Sequence, residues 1–151
     1  MLTERNRDDW TNLIGFTLHD GATLYPGDRM PVISLHPNKF RFQIAAYVNG
    51  DNNYAFNYPA NDQTSIEQDA WTKIKVQQYY DYSEYPYKYT YSIYINDKLE
   101  LNVENTTPAV FENIKVYVCG PGRCENPEAK IRNLKFRTIS ESKCIYIKKS
   151  L

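Results

Sequence analysis

The chain has 151 residues, the size of one domain built around a single hydrophobic core. Its 42% apolar content is typical of a globular protein, and no apolar run approaches the ~18 residues of a membrane helix, which argues against disorder and membrane insertion. Eighteen basic and eighteen acidic residues cancel, so the chain lacks the positive field that would attract nucleic acid or an anionic membrane surface.

Tyrosine is the unusual feature of the composition. The chain has fourteen tyrosines beside only two methionines and six glycines. Aromatic and β-branched residues favour the pleated, half-buried surface of a strand over a helix. The composition therefore predicts an all-β protein.

Alternation of apolar and polar residues predicts strands in the first third of the chain. Residues 13–18 and 32–35 are two weaker candidates, and residues 40–48 place every second, apolar side chain on one face. Asn49-Gly50 tolerates the positive φ of a tight turn, so residues 53–58 are expected to return as the partner strand.

The rest of the chain alternates more regularly. Strands are predicted over residues 71–77, 87–95, 99–103, 114–118 and 130–139. The first three form a meander, with Asn96-Asp97 in its second turn. Only residues 64–70 carry a helical signal, a capping Thr64 three positions before Glu67. About six to nine strands with turns every ~8–12 residues predict an antiparallel β-sandwich or jelly roll.

We expect one sandwich domain over residues 10–140, with residues 1–9 as an N-terminal extension and residues 141–151 as a C-terminal strand or tail. The first nine residues lack the apolar stretch of a signal peptide, so the chain is expected to be either intracellular or a mature segment of a secreted protein. In a secreted chain, Asn105-Thr106-Thr107 is the single N-glycosylation sequon, and the following Pro108 is unfavourable for it.

The three cysteines leave two alternatives open. Cys119 and Cys124 flank a Gly-Pro-Gly-Arg turn, which can bring their Cα atoms within disulfide range. Alternatively, they and the odd Cys144 are free thiols of an intracellular protein. No Cys-x-x-Cys pair and no paired histidines accompany them, so zinc is not expected.

Five segments in a fixed order carry a resemblance to a known superfamily. They are residues 28–36, 71–76, 91–99, 111–117 and 129–134. In this order, Trp71 opens a strand, Asn96-Asp97 lies at a hairpin tip, and an Ile-Arg-Asn-Leu segment closes the domain. Together they resemble the concanavalin A-like lectin and glucanase superfamily, in particular the laminin-G and galectin type modules of animal extracellular proteins. The resemblance implies a jelly-roll sandwich and an extracellular location, and it constrains activity only loosely.

Enzymatic activity is not expected. Glycanases of that superfamily carry two carboxylates as Glu-x-Asp-x-x-Glu, one to attack or stabilise the sugar carbon and one to protonate the leaving oxygen. Glu67-Gln68-Asp69 begins this pattern, but Thr72 stands where the second catalytic Glu is required. The galectin motifs are also out of register, because His36-Pro37-Asn38-Lys39 and Trp71-Thr72-Lys73 do not match them. We therefore expect no catalytic residues and do not transfer galactoside binding.

No cofactor is expected, with calcium as the alternative. Asp51 and Asn53 are the candidate ligands, since the loop over residues 49–53 is rich in the oxygen atoms that a hard cation requires. The loop has only one carboxylate, however, and a hairpin turn explains Asn49-Gly50 without an ion.

The tyrosine-rich stretch over residues 79–89 is the most distinctive local feature. Tyr87, Tyr89 and Tyr91 alternate in phase with Ile93 and Ile95, which predicts that they lie in the core. The candidate ligand-binding residues, placed in a hairpin loop, are Tyr79, Tyr80, Tyr82, Tyr85 and Asp81. Tyrosine combines a rigid apolar ring with a hydrogen-bonding tip, which suits a contact surface for sugars or proteins.

The leading hypothesis is a non-enzymatic recognition or adhesion module that binds a glycan or an extracellular protein through rim loops. The alternative is a structural or matrix subunit whose tyrosine-rich surface is buried in an assembly with other domains or copies. A glycan-degrading enzyme with an incomplete catalytic motif is the third hypothesis. Nucleic acid is not expected as a partner.

Overall fold

The computed structural model of the chain describes residues 10–19, 25–36, 40–60, 66–67, 69–83, 85–119 and 129–136. Within these ranges, all regular structure is β-strand, in two sheets of five and three strands, which confirms the all-β class. None of these residues belongs to a helix long and apolar enough to cross a membrane. The described part of the predicted helical turn, residues 66–67 and 69–70, is not helical.

The eight strands are β1 (Thr11–Thr17), β2 (Val32–His36), β3 (Arg41–Val48), β4 (Asp51–Tyr58), β5 (Ile74–Asp81), β6 (Lys88–Ile95), β7 (Lys98–Glu104) and β8 (Lys115–Val118). The chain divides into two compact units. The described residues of unit 1 lie within Met1–Tyr47, Asp51–Gln68 and Phe111–Glu128, and those of unit 2 lie within Val48–Gly50, Asp69–Val110 and Ala129–Leu151. The prediction of one domain over residues 10–140 stays a prediction.

The five-stranded sheet of unit 1 has the order β4-β3-β2-β1-β8. Strand β1 pairs antiparallel with both β2 and β8, and β2 pairs antiparallel with β3. Strands β1 and β2, the two weaker candidates in the sequence, are therefore interior strands of this sheet. Its largest fully buried side chains are Ile14, Phe16, Ile33, Phe42 and Ile44.

The predicted strand over residues 40–48 is confirmed with one change. Phe42, Ile44 and Ala46 are buried on one face as the alternation requires. Phe40, predicted to begin this strand, instead has a φ of 44° and lies in a turn, and β3 starts at Arg41.

The three-stranded sheet of unit 2 is the predicted meander, with the order β5-β6-β7. Asn96 and Asp97 have φ values of 50° and 66°, which is the left-handed conformation of a two-residue hairpin turn. The turn is held by Lys73, whose carbonyl accepts from the Asn96 N–H at 2.8 Å and whose N–H donates to Asn96 Oδ1 at 2.9 Å. The Lys73 ammonium also contacts the Asp97 carboxylate.

The last predicted strand, over residues 130–139, is wrong where the structure describes it. Residues 129–136 make a single β-bridge at Arg132. The Arg132 guanidinium instead stacks over the Trp71 ring at 3.6 Å, and Trp71 itself lies three residues before β5 begins. Residues 137–139, the predicted extension 1–9 and the predicted tail 141–151 lie outside the described ranges.

Candidate functional site

One face of the sheet in unit 2 changes in character along its strands. Directly paired residues of β5 and β6 on this face are, in order, Ile74 and Ile95, Val76 and Ile93, Gln78 and Tyr91, Tyr80 and Tyr89. The isoleucines and Val76 are at most 2% exposed, and Tyr91 is 4% exposed. The last pair of the ladder is Asp81 with Lys88, so Tyr82 and Tyr87 follow at the open end. The apolar face therefore runs from a buried aliphatic end to a tyrosine end.

Five tyrosines at this end contact one another and form what we call the tyrosine cluster: Tyr80, Tyr82, Tyr85, Tyr87 and Tyr89. Their ring centroids lie 4.8 Å apart for Tyr80–Tyr82 and Tyr80–Tyr89, 5.5 Å for Tyr82–Tyr87, 5.7 Å for Tyr85–Tyr87 and 6.3 Å for Tyr80–Tyr87. All five contacts are edge-to-face or tilted, the arrangement that the ring quadrupole favours. The rings thus support one another without burial in the core.

Exposure of the cluster increases toward the loop between β5 and β6. Tyr80 and Tyr89 are half-buried, whereas Tyr87, Tyr82 and Tyr85 are 49%, 60% and 87% exposed. The prediction that Tyr87 lies in the core is therefore wrong, because Tyr87 precedes the first residue of β6 and lies beyond the paired strands. Tyr82 and Tyr85 lie in the loop, as predicted.

The other predicted binding residues belong to β5 rather than to a loop. Tyr79, Tyr80 and Asp81 pair with Thr90, Tyr89 and Lys88. Because side chains alternate along a strand, Tyr79 lies on the face opposite Tyr80 and outside the cluster. The predicted set thus contains three members of the cluster and omits Tyr87 and Tyr89.

Asp81 is the last residue of β5 and, like Tyr79, lies on the face opposite Tyr80. Its Oδ1 accepts from the Ser83 N–H at 2.9 Å, which fixes the start of the loop. Hydrogen bonds from the side chain and backbone of Ser83, followed by the charge of Lys88, lower the pKa of Asp81. The carboxylate is therefore ionised at neutral pH.

The opposite face of the same sheet carries Tyr94. The Lys75 ammonium lies 4.4 Å from the Tyr94 ring centroid, and Gln77 Nε2 donates to the Tyr94 hydroxyl at 3.5 Å. Burial, and secondarily the nearby Tyr79, raise the pKa of Tyr94 above its usual value. The phenol therefore stays neutral to a higher pH than an exposed tyrosine.

A network of amide side chains joins the β3–β4 turn to the end of β7, all within unit 2. Asn105 is 2% exposed, and its Oδ1 accepts from the Asn49 N–H at 3.1 Å and the Thr107 N–H at 3.2 Å. Its Nδ2 donates to Gln78 Oε1 at 2.6 Å. In return, Asn49 Nδ2 donates to the Glu104 carbonyl at 2.9 Å, and Asn49 Oδ1 accepts from the Thr106 N–H at 2.7 Å. Asn49 adopts a φ of 55° and the following Gly50 one of 79°, as predicted for this turn.

The candidate calcium ligands already have protein partners. Asp51 Oδ1 accepts from the Asn53 N–H at 2.7 Å, which closes an Asx turn. The Arg29 guanidinium donates to Asn53 Oδ1, so a positive charge lies where a cation would be coordinated. No group of three or more His, Cys, Asp and Glu side chains suited to a metal ion occurs among the described residues. Calcium binding at Asp51 and Asn53 stays a prediction.

The incomplete glycanase motif lies just before β5. Thr72, at the position of the second catalytic Glu, is only 6% exposed, and Asp69 has a φ of 61° in a turn. Glu67 lies in an irregular segment.

A buried carboxylate occurs in unit 1. The Asp28 side chain is fully buried, and it accepts from the Tyr25 N–H at 2.9 Å and contacts His19 Nδ1 at 2.7 Å. The adjacent Gly27 has a φ of 94°, and an added Cβ would lie 2.6 Å from a Leu18 methyl group. This arrangement fixes a turn that no motif in the sequence predicts.

Cys119 is disulfide-bonded. It follows β8, and its N–H donates to the Leu13 carbonyl at 3.1 Å. Cys124, its predicted partner, and Cys144 both lie outside the described ranges.

Comparisons with known proteins return no relative. No protein-family model matches the chain, and neither the curated proteins nor the solved structures give a significant match. The tyrosine cluster is therefore interpreted from its own geometry.

Proposed function

We propose that this chain is a non-enzymatic recognition or adhesion module that contacts a glycan or an extracellular protein through the tyrosine cluster. The observation that carries this proposal is the exposure of Tyr82, Tyr85 and Tyr87 in one contacting group. Scattered exposed apolar residues need no explanation, whereas a contiguous aromatic group is typical of an interaction site.

Tyrosine is suited to this role by its low entropy cost. The ring has few rotatable bonds, and neighbouring rings already restrict it, so little conformational freedom is lost on binding. The ring buries apolar area in the partner while the hydroxyl remains available for hydrogen bonds. Buried aromatic side chains at the centre of an interface commonly supply most of its binding free energy.

We also propose that the fold is a β-sandwich of the jelly-roll, concanavalin A-like type. Each of the two sheets buries a face of aliphatic side chains, including Ile33 and Ile44 in one and Ile74 and Ile93 in the other. A disulfide at Cys119 supports an extracellular location, because disulfides persist mainly in oxidising compartments.

The test compares cluster variants with a matched control. Tyr82→Ala and Tyr85→Ala are expected to lose partner binding while changing the unfolding free energy by no more than ~1 kcal/mol, since exposed side chains contribute little to stability. Tyr25→Ala is the control, because Tyr25 is as exposed as Tyr82, at 60%, and lies against His19 instead.

Partners are sought by a glycan array and by affinity capture of purified extracellular proteins. Retention of binding by both cluster variants, or equal loss in Tyr25→Ala, would contradict the proposal. A large fall in stability of Tyr82→Ala would also contradict it, because the ring would then be part of the core.

A structural subunit remains the second candidate, and strand β8 favours it. This four-residue strand exposes Val116 and Val118 at 49% and 66%. Exposed apolar side chains on the edge strand of a sheet suit contact with another domain or a second copy. Light scattering across a wide concentration range distinguishes the two, because a monomer at every concentration argues against assembly through copies of this chain.

Enzymatic activity is the third candidate, and the replacement of the second catalytic Glu by buried Thr72 argues against it. If a glycanase activity were measured, Glu67→Gln would abolish it only if Glu67 acts in catalysis.

A further inference from the structure

We propose that the tyrosine cluster is a site of oxidative cross-linking, in which a one-electron oxidant joins Tyr82 to Tyr87 as a dityrosine within the same chain. Such a link does not require the cluster to bind a partner.

Distance and exposure together select this pair. Tyr80–Tyr82 and Tyr80–Tyr89 are closer, at 4.8 Å, but both include the half-buried Tyr80, and Tyr85–Tyr87 is farther apart, at 5.7 Å. Tyr82 follows the last residue of β5 and Tyr87 precedes the first residue of β6, so the two lie across the loop from each other. Their ring centroids are 5.5 Å apart with planes inclined by 56°, a distance at which small ring rotations bring two ortho carbons together. Their exposures of 60% and 49% leave both rings accessible to an oxidant.

The rest of the cluster supplies a route for the radical. Tyr85, the most exposed member at 87%, is the first ring that a bulky oxidant meets. Its centroid is 5.7 Å from that of Tyr87, and the Tyr80 centroid is 4.8 Å from that of Tyr82. Because all members are phenols, an electron can pass between neighbouring rings with little change in free energy. A radical formed anywhere in the cluster can therefore reach the Tyr82–Tyr87 pair.

The reaction uses hydrogen peroxide and a haem peroxidase. Two phenols each lose one electron and one proton, and the peroxide is reduced to two water molecules by those two electrons and two protons. The two ring radicals then form one carbon–carbon bond between ortho carbons. The two hydrogens at those carbons move to the phenol oxygens, which restores both aromatic rings. The protein loses two hydrogen atoms in total.

The link would close the loop covalently. It would join the ends of β5 and β6, restrict the unfolded chain as any cross-link does, and raise the melting temperature. The cross-linked protein should remain monomeric, because both linked rings belong to one loop.

A peptide digest gives a direct readout. Trypsin cleaves after Lys75 and Lys88, so residues 76–88 form one peptide that contains both tyrosines. After treatment of the full chain with peroxidase and limiting hydrogen peroxide, this peptide is expected to lack two hydrogen atoms and to show dityrosine fluorescence. Its fragmentation is expected to yield no backbone fragments between Tyr82 and Tyr87, because the new bond holds them together.

Two phenylalanine variants decide the assignment. Tyr87→Phe keeps the ring but removes the oxidisable phenol, and it is expected to abolish the intramolecular product. Tyr25→Phe, at a tyrosine outside the cluster that is as exposed as Tyr82, is expected to leave the yield unchanged. The proposal is overturned if the product persists in Tyr87→Phe, if its fragments place the bond elsewhere, or if dityrosine forms only in covalent dimers.

Discussion

Replacement of Asn105 by alanine tests how much the hydrogen bonds of this buried side chain stabilise unit 2. Asn105 is 2% exposed and its side chain makes three hydrogen bonds, to the N–H groups of Asn49 and Thr107 and to Gln78 Oε1. At ~1 kcal/mol net for each bond, the variant should lose about 3 kcal/mol of unfolding free energy. For a chain of this size that loss corresponds to a fall of roughly 6–12 °C in melting temperature.

The matched control is Asn102→Ala, in β7, the strand that Asn105 directly follows. Asn102 is exposed, and its Oδ1 accepts one hydrogen bond, from the Ser92 hydroxyl at 2.7 Å. Because Asn102 is exposed, water can take its place at the Ser92 hydroxyl, so its loss should cost only ~1 kcal/mol. Urea unfolding followed by circular dichroism gives the free energy of unfolding of both variants. The comparison of midpoints holds if the m value, the slope of that free energy against urea concentration, is the same in the variants and the original chain. Equal midpoints for the two variants would refute the conclusion that the buried amide joins the β3–β4 turn to β7.

Three further predictions concern titration, metal binding and backbone conformation. Burial raises the pKa of Tyr94, so the contribution of the Tyr94 phenol to stability is complete below the usual phenol pKa of 10.0 and is lost as pH rises through the folded-state value. Tyr94→Phe should therefore reduce the fall of the urea unfolding midpoint at alkaline pH. The same dependence of the midpoint on pH in both proteins would contradict this. Calcium at millimolar concentration should not raise the melting temperature relative to chelator, because the Arg29 guanidinium occupies Asn53 Oδ1; a rise would show that the arginine is displaced by the ion. Gly27→Ala should lower the free energy of unfolding, measured by thermal unfolding, by ~1–3 kcal/mol, because φ is 94° and the new Cβ would clash with a Leu18 methyl group. An unchanged free energy of unfolding would mean that this turn relaxes freely.

Much of the fold follows from alternation and turn chemistry. In β6, Ile93 and Ile95 are buried as the period of two requires, and the residues of both predicted tight turns have positive φ. Strand β1 gave only a weak signal for a physical reason. Both faces of β1 are buried, and even its polar residues Thr11 and Thr17 are only 8% and 2% exposed. Burial in this strand therefore does not alternate with residue polarity, which is the signal that the prediction uses.

The boundaries of the tyrosine segment were harder to predict. The run from Gln77 to Asp81 lacks alternating apolar residues, which suggested a loop, yet its backbone continues the ladder with β6. Strand pairing depends on the neighbouring strand, and that information is absent from the local pattern. If both predicted strands had been extended to the same length, Tyr82 would have been placed opposite Tyr87. Both residues would then have been predicted as members of the tyrosine cluster.

Contacts between distant segments were not predictable from single motifs. Arg29 and Asn53 are joined by a hydrogen bond although they are separated by 24 positions. The Ile-Arg-Asn-Leu segment was predicted to be part of the last strand, over residues 130–139, whereas Arg132 instead stacks on Trp71. In both cases an arginine that the pattern treats as a surface residue has a specific partner, which only the tertiary structure reveals.

The buried amide of Asn105 also sets an order of events for a secreted form of the chain. An oligosaccharide is attached through the asparagine Nδ2 atom, which here donates to Gln78 at 2.6 Å in a side chain only 2% exposed. The sequon can thus be modified only before this part of unit 2 folds, and a sugar on this nitrogen atom would have to displace the side chains that bury Asn105. Folding and sugar transfer would compete for the same nitrogen atom, so rapid closure of the β7 end would protect the chain from a modification that weakens the native packing there.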